Sequence, residues 1–198
     1  KVSALLLAAG SSSRMRGADK LMELVDDIPL LRLSAEVLLA SQVDEVIVVL
    51  RPDDPRRLAA LDGLNVRVIE NPQATEGMGA SIRAGIAAVA SDAGALLVAL
   101  ADMPDIAAND VDALIAAYDV EDGREIIRAA NPTGAPGNPV LFGRRFFEPL
   151  RGLEGDEGAR SILAANADLV RLVRLSSNAA RVDLDTPEAW AEWRAGQT

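Results

Sequence analysis

The sequence contains no cysteine and no histidine. The first absence excludes a disulfide framework, thiolate zinc sites and cysteine nucleophiles. The second excludes a Ser-His-Asp triad and histidine-ligated metals. Any metal must then be a hard cation on oxygen ligands, such as Mg²⁺. Long hydrophobic runs are also missing. The longest early one, Ala4 to Ala9, is far too short to span a bilayer. The cluster of positive charge, Arg14, Arg16 and Lys20, follows it rather than precedes it, the reverse of a secretory signal. No membrane or targeting segment is expected, and a cytoplasmic location is. Positive charge is itself scarce: 20 Lys+Arg stand against 30 Asp+Glu, a net charge of −10. That balance argues against nucleic acid and anionic membranes as partners. It leaves room for a small anionic ligand held by a few local cations.

What remains is an ordinary globular composition. The chain has 198 residues, 49% hydrophobic and 25% charged, enough to bury a core. Apolar runs at Val2–Ala8, Glu45–Leu50, Asn65–Ile69 and Ala95–Leu100 predict central strands. Helices are expected from Pro29, over Ser81–Ala90, and from an Asn109 cap. This alternation predicts right-handed strand–helix–strand units and a parallel sheet. After residue 120 the pattern loosens. Asn131–Pro139 reads as a loop, Pro139–Phe142 as a short strand, Arg144–Leu150 and Ala159–Ala165 as helices. Leu169–Leu175 and Arg181–Leu184 read as strands, with a last helix from Pro187. The expectation is one α/β domain over 1–198. A nucleotide-binding half would span about 1–120 and an acceptor-contributing half about 121–198.

In open α/β sheets ligands bind beyond the carboxyl ends of the strands, so the loops that follow strands matter most. The first runs from Ala8, Ala9, Gly10 and Ser11 to Arg14 and Lys20. Small residues there leave backbone N–H groups free to face an anion. Arg14 offers a fork matched to phosphate oxygens, Lys20 a mobile point charge, and Arg16 a third cation. The spacing is neither a Walker A loop nor G-x-G-x-x-G. Asp102 ends an apolar strand, where a carboxylate can hold Mg²⁺ against phosphates. Asp183 and Asp185 share one face if their segment is extended, but Asp185 also precedes Thr-Pro at a helix start and suits an N-cap, so alone this segment says little. Gly77 and Gly79 sit in a loop before a helix, a setting for backbone recognition of a flat base. Gly155, Asp156 and Arg160 combine a flexible loop with a cation for an anionic substrate. Trp190 and Trp193, three apart, read as packing residues.

Five segments in this order resemble a known family. They are Leu-Ala-Ala-Gly-x-Ser-x-Arg-Met with its Lys (Leu7 to Lys20), Glu-Asn-Pro to Gly-Met (Glu70 to Met78), Asp-Met-Pro (Asp102 to Pro104), Gly-Asp-x-Gly-Ala-Arg (Gly155 to Arg160) and Asp-x-Asp-Thr-Pro-Glu (Asp183 to Glu188). Together they resemble the molybdenum cofactor nucleotidyltransferases, in their cytidylyltransferase branch. The resemblance implies a Rossmann-like nucleotidyltransferase fold, a mostly parallel central sheet flanked by helices. It implies Mg²⁺-dependent transfer of CMP from CTP to the phosphate of molybdopterin, with release of pyrophosphate. By resemblance Arg14, Lys20 and Asp102 would be catalytic. Ala8, Ala9, Gly10, Ser11, Arg14, Lys20, Gly77 and Ser81 would bind nucleotide. Asn138, Pro139, Gly155, Asp156 and Arg160 would face the acceptor, and Asp102 and Asp185 would hold Mg²⁺.

The family's guanylyltransferases usually carry Gly where this chain has Ala9, and its cytidylyltransferases carry Ala, which favours CTP over GTP. Two features depart from the family pattern. Pro136-Gly137-Asn138-Pro139 stands where Pro-Gly-His-Pro is common, and the stretch from Arg14 to Lys20 is one residue longer, with Arg16-Gly17 in place of Gly. Another phosphorylated acceptor, such as a sugar 1-phosphate, is one alternative. A carrier that hands the cofactor to a molybdenum hydroxylase is another, although a carrier has no need of a metal–triphosphate site.

Overall fold

The computed structural model describes residues 1–118 and 126–197. The elements in order are β1 (Val2–Leu7), β2 (Leu24–Val25), β3 (Ile28–Pro29), α1 (Leu30–Ala40), β4 (Glu45–Leu50), α2 (Pro55–Ala60), β5 (Arg67–Glu70) and α3 (Met78–Ala87). There follow β6 (Ala95–Leu100), α4 (Ala108–Ala117), β7 (Ile126–Ala130), β8 (Pro136–Gly143), α5 (Phe147–Arg151), α6 (Arg160–Ala165), β9 (Val170–Arg174) and α7 (Pro187–Ala195). β2 and β3 make a small hairpin. The other strands form one sheet in the order β5-β4-β1-β6-β8-β7-β9. Within this sheet only β8 runs against its neighbours among the described strands; the sheet's other pairings are parallel.

The chain leaves β1 outward to β4 and β5, then returns to lay β6 on β1's other side. Strand order therefore reverses between β1 and β6, and a cleft opens beyond their carboxyl ends. β1 is buried along its whole length because helices cover both faces. The two-residue period of the strand divides it between them. Ala4 and Leu6 share a core with Leu31, Ala35 and Leu38 of α1 and Val111 and Leu114 of α4. Leu5 and Leu7 share one with Ile82 and Ile86 of α3 and Phe147 and Leu150 of α5. Each such side chain contributes about 1.5–3 kcal/mol by leaving water. A third, smaller cluster of Met15, Leu30, Leu184 and Trp190 packs the loop after β1 against α7. Trp193 also packs there, and its indole N–H donates to Asp105 at 2.9 Å. No helix among the described residues is long and apolar enough to cross a membrane.

The strands expected in the first half are present, though β5 starts two residues late, at Arg67, where pairing with Ile47 begins. Several expectations are corrected. α3 runs over Met78–Ala87, earlier than Ser81–Ala90. Asn109 is not a cap: α4 begins after Ala107, whose N–H donates to the Asp110 carboxylate at 2.9 Å. β8 begins at Pro136, inside the expected loop, and is antiparallel. Arg181–Leu184 is not a strand. A 3-10 turn covers Asn178–Arg181, and the chain then crosses the end of β6, with the Leu184 N–H on the Asp102 carbonyl at 3.0 Å. β7 and α2 were not expected at all. The division expected near residue 120 falls outside the described residues.

The crossing beside β8 leaves no room for a side chain at Gly137. A Cβ there would lie 1.8 Å from the Ala180 carbonyl oxygen, a backbone atom that cannot swing away. Gly137→Ala is expected to destabilise the protein by at least about 1–3 kcal/mol. Gly10→Ala, with nothing within 4 Å of the added carbon, should stay within about 0.5 kcal/mol. Urea denaturation of the two variants checks the pair; equal midpoints would contradict the packing described.

Candidate active site

The loop after β1 is held by an arginine from α2. An Asp54 cap on the Arg57 N–H (3.1 Å) and Pro55 in the first turn start this helix. Its Arg57 side chain is fully buried. Nη1 donates to the Ala8 and Gly10 carbonyls at 2.7 and 2.8 Å. Nη2 donates to Ser12 Oγ at 3.2 Å and Asp19 Oδ1 at 2.8 Å, and Nε to Asp19 Oδ2 at 2.9 Å. The Ser12 hydroxyl in turn accepts the Lys20 N–H at 3.2 Å. Five donations from one guanidinium thus set the turn at both ends. Burial pushes the Asp19 carboxyl up, but Arg57's hydrogen bonds and charge outweigh it and hold Asp19 below the usual carboxylate range.

Beyond this turn Lys20 reaches the carboxyl end of β6. Its ammonium donates to Asp102 Oδ2 at 2.7 Å and also to Asp185. Arg14 pairs with the other oxygen of Asp185 at 2.6 Å. Asp185 is free for this because Thr186, not Asp185, caps α7, accepting the Ala189 N–H at 3.1 Å. Asp102, Asp183 and Asp185 bring carboxylate oxygens within 4.8 Å of one another. Burial raises the Asp102 carboxyl; Lys20 opposes this, and the charges of Asp185 and Asp183 add to it. Burial alone would also raise Asp185, but Lys20 and Arg14 hold it low. Lys20 is stripped of water, yet its two carboxylates win and raise its proton affinity. Oδ1 of Asp102 is buried without a hydrogen-bond partner among the described residues. That unmet acceptor, beside two more carboxylates, is an all-oxygen donor set that suits a hard divalent cation.

These groups line one end of a cleft of about 740 Å³. Its floor is Val98 and Leu100 of β6 with Val140 and Phe142 of β8. Its walls include Met78 and Ile82 of α3 and Arg160 and Leu163 of α6. Among the residues read from sequence, Arg14, Lys20, Asp102, Asp185, Asn138, Asp156 and Arg160 all line it. Ala8, Ala9, Gly10 and Ser11 form the turn above Arg57, with Ala9 buried. Ser81 is a buried residue of α3, does not line the cleft, and accepts from Asn71 Nδ2 at 3.2 Å. Gly77 has φ +110°, and a Cβ on it would lie 2.5 Å from Asp156 Cα. The Gly79 N–H donates to the Gly155 carbonyl at 3.1 Å. The packing of these two loops therefore accounts for Gly77 and Gly79. Pro139, expected beside the acceptor, follows Asn138 on β8 and so lies on the opposite face of the sheet, beside Leu6, Ser34 and Val37 rather than in this cleft.

Arg16 lies apart from the cleft and pairs with Glu188 of α7 at 2.5 Å. The extra residue of this loop is taken up in a left-handed turn there, φ +53° at Arg16 and +95° at Gly17. The sequence reading missed Arg57, Asp19 and Arg128. The Asp54-Pro55 helix start could have flagged α2, but nothing local marks its arginine as the support of a distant loop.

Residues 4–171 match the MobA-like NTP transferase domain, so the chain belongs to that family. By family it is a nucleotidyltransferase. The purine catabolism protein PucB of Bacillus subtilis is 29% identical over 199 residues, covering 94% of this chain and 92% of that protein. Nicotine blue oxidoreductase of Paenarthrobacter nicotinovorans is 29% identical over 193 residues, covering 94% and 93%. The crystal structure of Rv0371c from Mycobacterium tuberculosis superimposes with a TM-score of 0.79 at 27% identity, covering 98% of this chain and 97% of that one. The same protein is also known in a complex with manganese, which matches at a TM-score of 0.75 and 26% identity over 96% of each chain.

Breaking the Arg57–Asp19 pair strands a carboxylate under the turn. Arg57→Ala is expected to cost about 3–5 kcal/mol in urea denaturation. The pH dependence follows from the depressed Asp19 value. Its stabilisation is fully present above the unfolded value of about 3.9 and is shed as pH falls through the lower folded value. The stability gap between wild type and Asp19→Asn should therefore be constant near neutrality and shrink in acid. A gap that widens below about pH 4 would contradict the assignment.

Proposed function

We propose that this nucleotidyltransferase moves CMP from CTP to the phosphate of molybdopterin, with Mg²⁺, as one domain over 1–198. The observation that carries this reading is the meeting of Lys20, Asp102 and Asp185, with Arg14 and Asp183, at the switch point of the sheet. The five segments spread along the chain, above all Gly155 to Arg160, favour molybdopterin over a sugar 1-phosphate or a carrier role. The relative named as an oxidoreductase is similar along nearly its whole length, and one fold hosts many chemistries. Here the paired cations and converging carboxylates suit a triphosphate with a divalent cation.

In this reading an oxygen of the acceptor phosphate attacks the α-phosphorus of CTP. The new P–O bond forms as the bond to the β-phosphate breaks, and pyrophosphate leaves with the electron pair. Such a reaction needs in-line placement and charge neutralisation more than a general base. Arg14 and Lys20 would give up Asp185 and Asp102 for the triphosphate oxygens and stabilise charge on the departing pyrophosphate. Asp102 and Asp185, with Asp183 beside them, would then be released to hold Mg²⁺, which supplies further charge neutralisation when bound. The turn over Ala8, Ala9, Gly10 and Ser11, braced by Arg57, would offer backbone N–H groups to the nucleotide. The Ala9 methyl would narrow the base pocket against a purine. Gly77 and the start of α3 would form the base-side wall, with Ser81 supporting it from behind. Asn138, Gly155, Asp156 and Arg160 would line the acceptor side, with Pro139 packed on the other face of the sheet behind Asn138.

Pyrophosphate release with Mg²⁺ and molybdopterin, with CTP and GTP supplied separately, tests the reading. Release with CTP well above that with GTP is expected. Asp102→Ala should cost about 10²-fold or more in kcat, and activity that survives it would favour a carrier. Arg14→Ala and Lys20→Ala should each weaken CTP binding with the fold intact. Ala9→Gly should raise GTP use relative to CTP, by no more than about 200-fold. An unchanged ratio would discard the steric argument.

A further inference from the structure

One row of side chains crosses the sheet from β1 to β7 as Leu5, Val98, Val140 and Arg128. Cross-strand partners share a face. The first three belong to the buried apolar face beneath α3 and α5. The fourth places a guanidinium on that face, where an unpaired charge is costly. Arg128 is half-buried and lines the cleft beside Asn138 and Arg160. Its Nε donates to the Gly137 carbonyl at 2.9 Å, which sets the plane of the guanidinium next to Asn138. Its two Nη groups have no hydrogen-bond or ion-pair partner among the described residues, and neither does the Arg160 guanidinium. Asp156 and Glu157 also line the cleft, but neither forms an ion pair with these arginines. Burial, then the charges of Arg181 and Arg160, hold Arg128 below the usual guanidinium range. Arg128 and Arg160 therefore bring positive charge to the cleft without an ion-paired carboxylate among the described residues, in a chain of net charge −10.

We propose that Arg128 and Arg160 form the seat for the anionic group of the acceptor, with Arg128 presenting its two free Nη donors to a phosphate monoester. A guanidinium held by Nε keeps a planar pair of N–H donors aimed one way, the geometry that suits two phosphate oxygens. The carboxylates and Lys20 lie at the other end of the cleft, so the two phosphate-bearing substrates would be received by separate sets of cations. This inference rests on the reading that the acceptor enters from the β7–β8 side.

Inorganic phosphate serves as the probe. Its phosphorus NMR line width is titrated in metal-free buffer with wild type, Arg128→Gln, Arg128→Lys and Arg14→Ala. Phosphate affinity should fall about tenfold or more in Arg128→Gln and be retained in Arg14→Ala. Arg128→Lys keeps the charge but loses the fork and should fall between wild type and Arg128→Gln. Equal affinity in wild type and Arg128→Gln overturns the proposal, as does a loss that follows Arg14→Ala instead. If Arg128→Gln does not fold, Arg128→Lys carries the test, and unchanged affinity there overturns it. In the pyrophosphate-release assay, Arg128→Gln should raise the KM for molybdopterin about tenfold and leave that for CTP within about twofold. An equal rise in both overturns the assignment. Absence of wild-type turnover with molybdopterin overturns the acceptor named above, and the phosphate titration then decides Arg128 by itself.

Discussion

The Lys20 ammonium stands between Asp102, 82 residues further along the chain, and Asp185, 165 residues further. It ties together the loop after β1, the end of β6 and the segment that enters α7. Largely buried ion pairs of this kind add little net stability, because removing both partners from water costs about as much as their attraction returns. What the pair contributes is position. Asp102 and Asp185 repel each other, and each would be costly to hold ionised in this setting without the cation between them. Arg14 completes the neutralisation from the solvent side. The site is thus assembled in advance of any nucleotide, by groups that a triphosphate and a divalent cation can take over one for one.

That arrangement depends on the order of the strands. Because β4 and β5 lie on one side of β1 and β6 on the other, the loops after β1 and β6 part and leave a gap at their shared end. Arg57 keeps the first of these loops from collapsing into it by satisfying the Ala8 and Gly10 carbonyls from below. Buried carbonyls left without donors would otherwise cost about 1–3 kcal/mol each. The fixed turn sends Lys20 toward Asp102. The Met15–Leu30–Leu184–Trp190 cluster brings the Asp183–Asp185 segment to the same place from the far end of the chain. A polar site is therefore positioned by two apolar cores and one buried guanidinium.

Much of this was legible in the sequence, for local reasons. β1, β4 and β6 are apolar runs bounded by polar turns, and Arg14, Lys20 and Asp102 follow them directly. The resemblance of five ordered segments then supplied Asp185 and the acceptor-side residues. The second half was harder to read. β7, Ile-Ile-Arg-Ala-Ala, has an arginine at its centre and two alanines after it, so alternation does not mark it as a strand, and two β-branched isoleucines make too short a run. Arg181–Leu184 has the right alternation for a strand, but β9 already forms the edge of the sheet next to β7. The segment instead crosses strand ends, where it pairs with the Asp102 carbonyl rather than with a ladder. Arg57 was hidden because its meaning lies 38 residues away, at Asp19.

The same irregularity that hid the second half gives it a use. A parallel strand beside β6 would point its carboxyl end at the nucleotide loops and crowd them. β8 is reversed, so the Asn138–Pro139 step near its start lies across from the carboxyl end of β6, which Val98 pairs through Val140. β7 then runs parallel to β6 again and lifts Arg128 into the row that Leu5 and Val98 begin. The cleft consequently has a carboxylate-and-lysine end built by the first half and α7, and an arginine end built by β7 and α6. Gly77 and Gly79 let the 154–158 loop pack directly on the start of α3. Backbone contact at those glycines therefore fixes the 154–158 loop, which carries Asp156 into the cleft, against the start of α3.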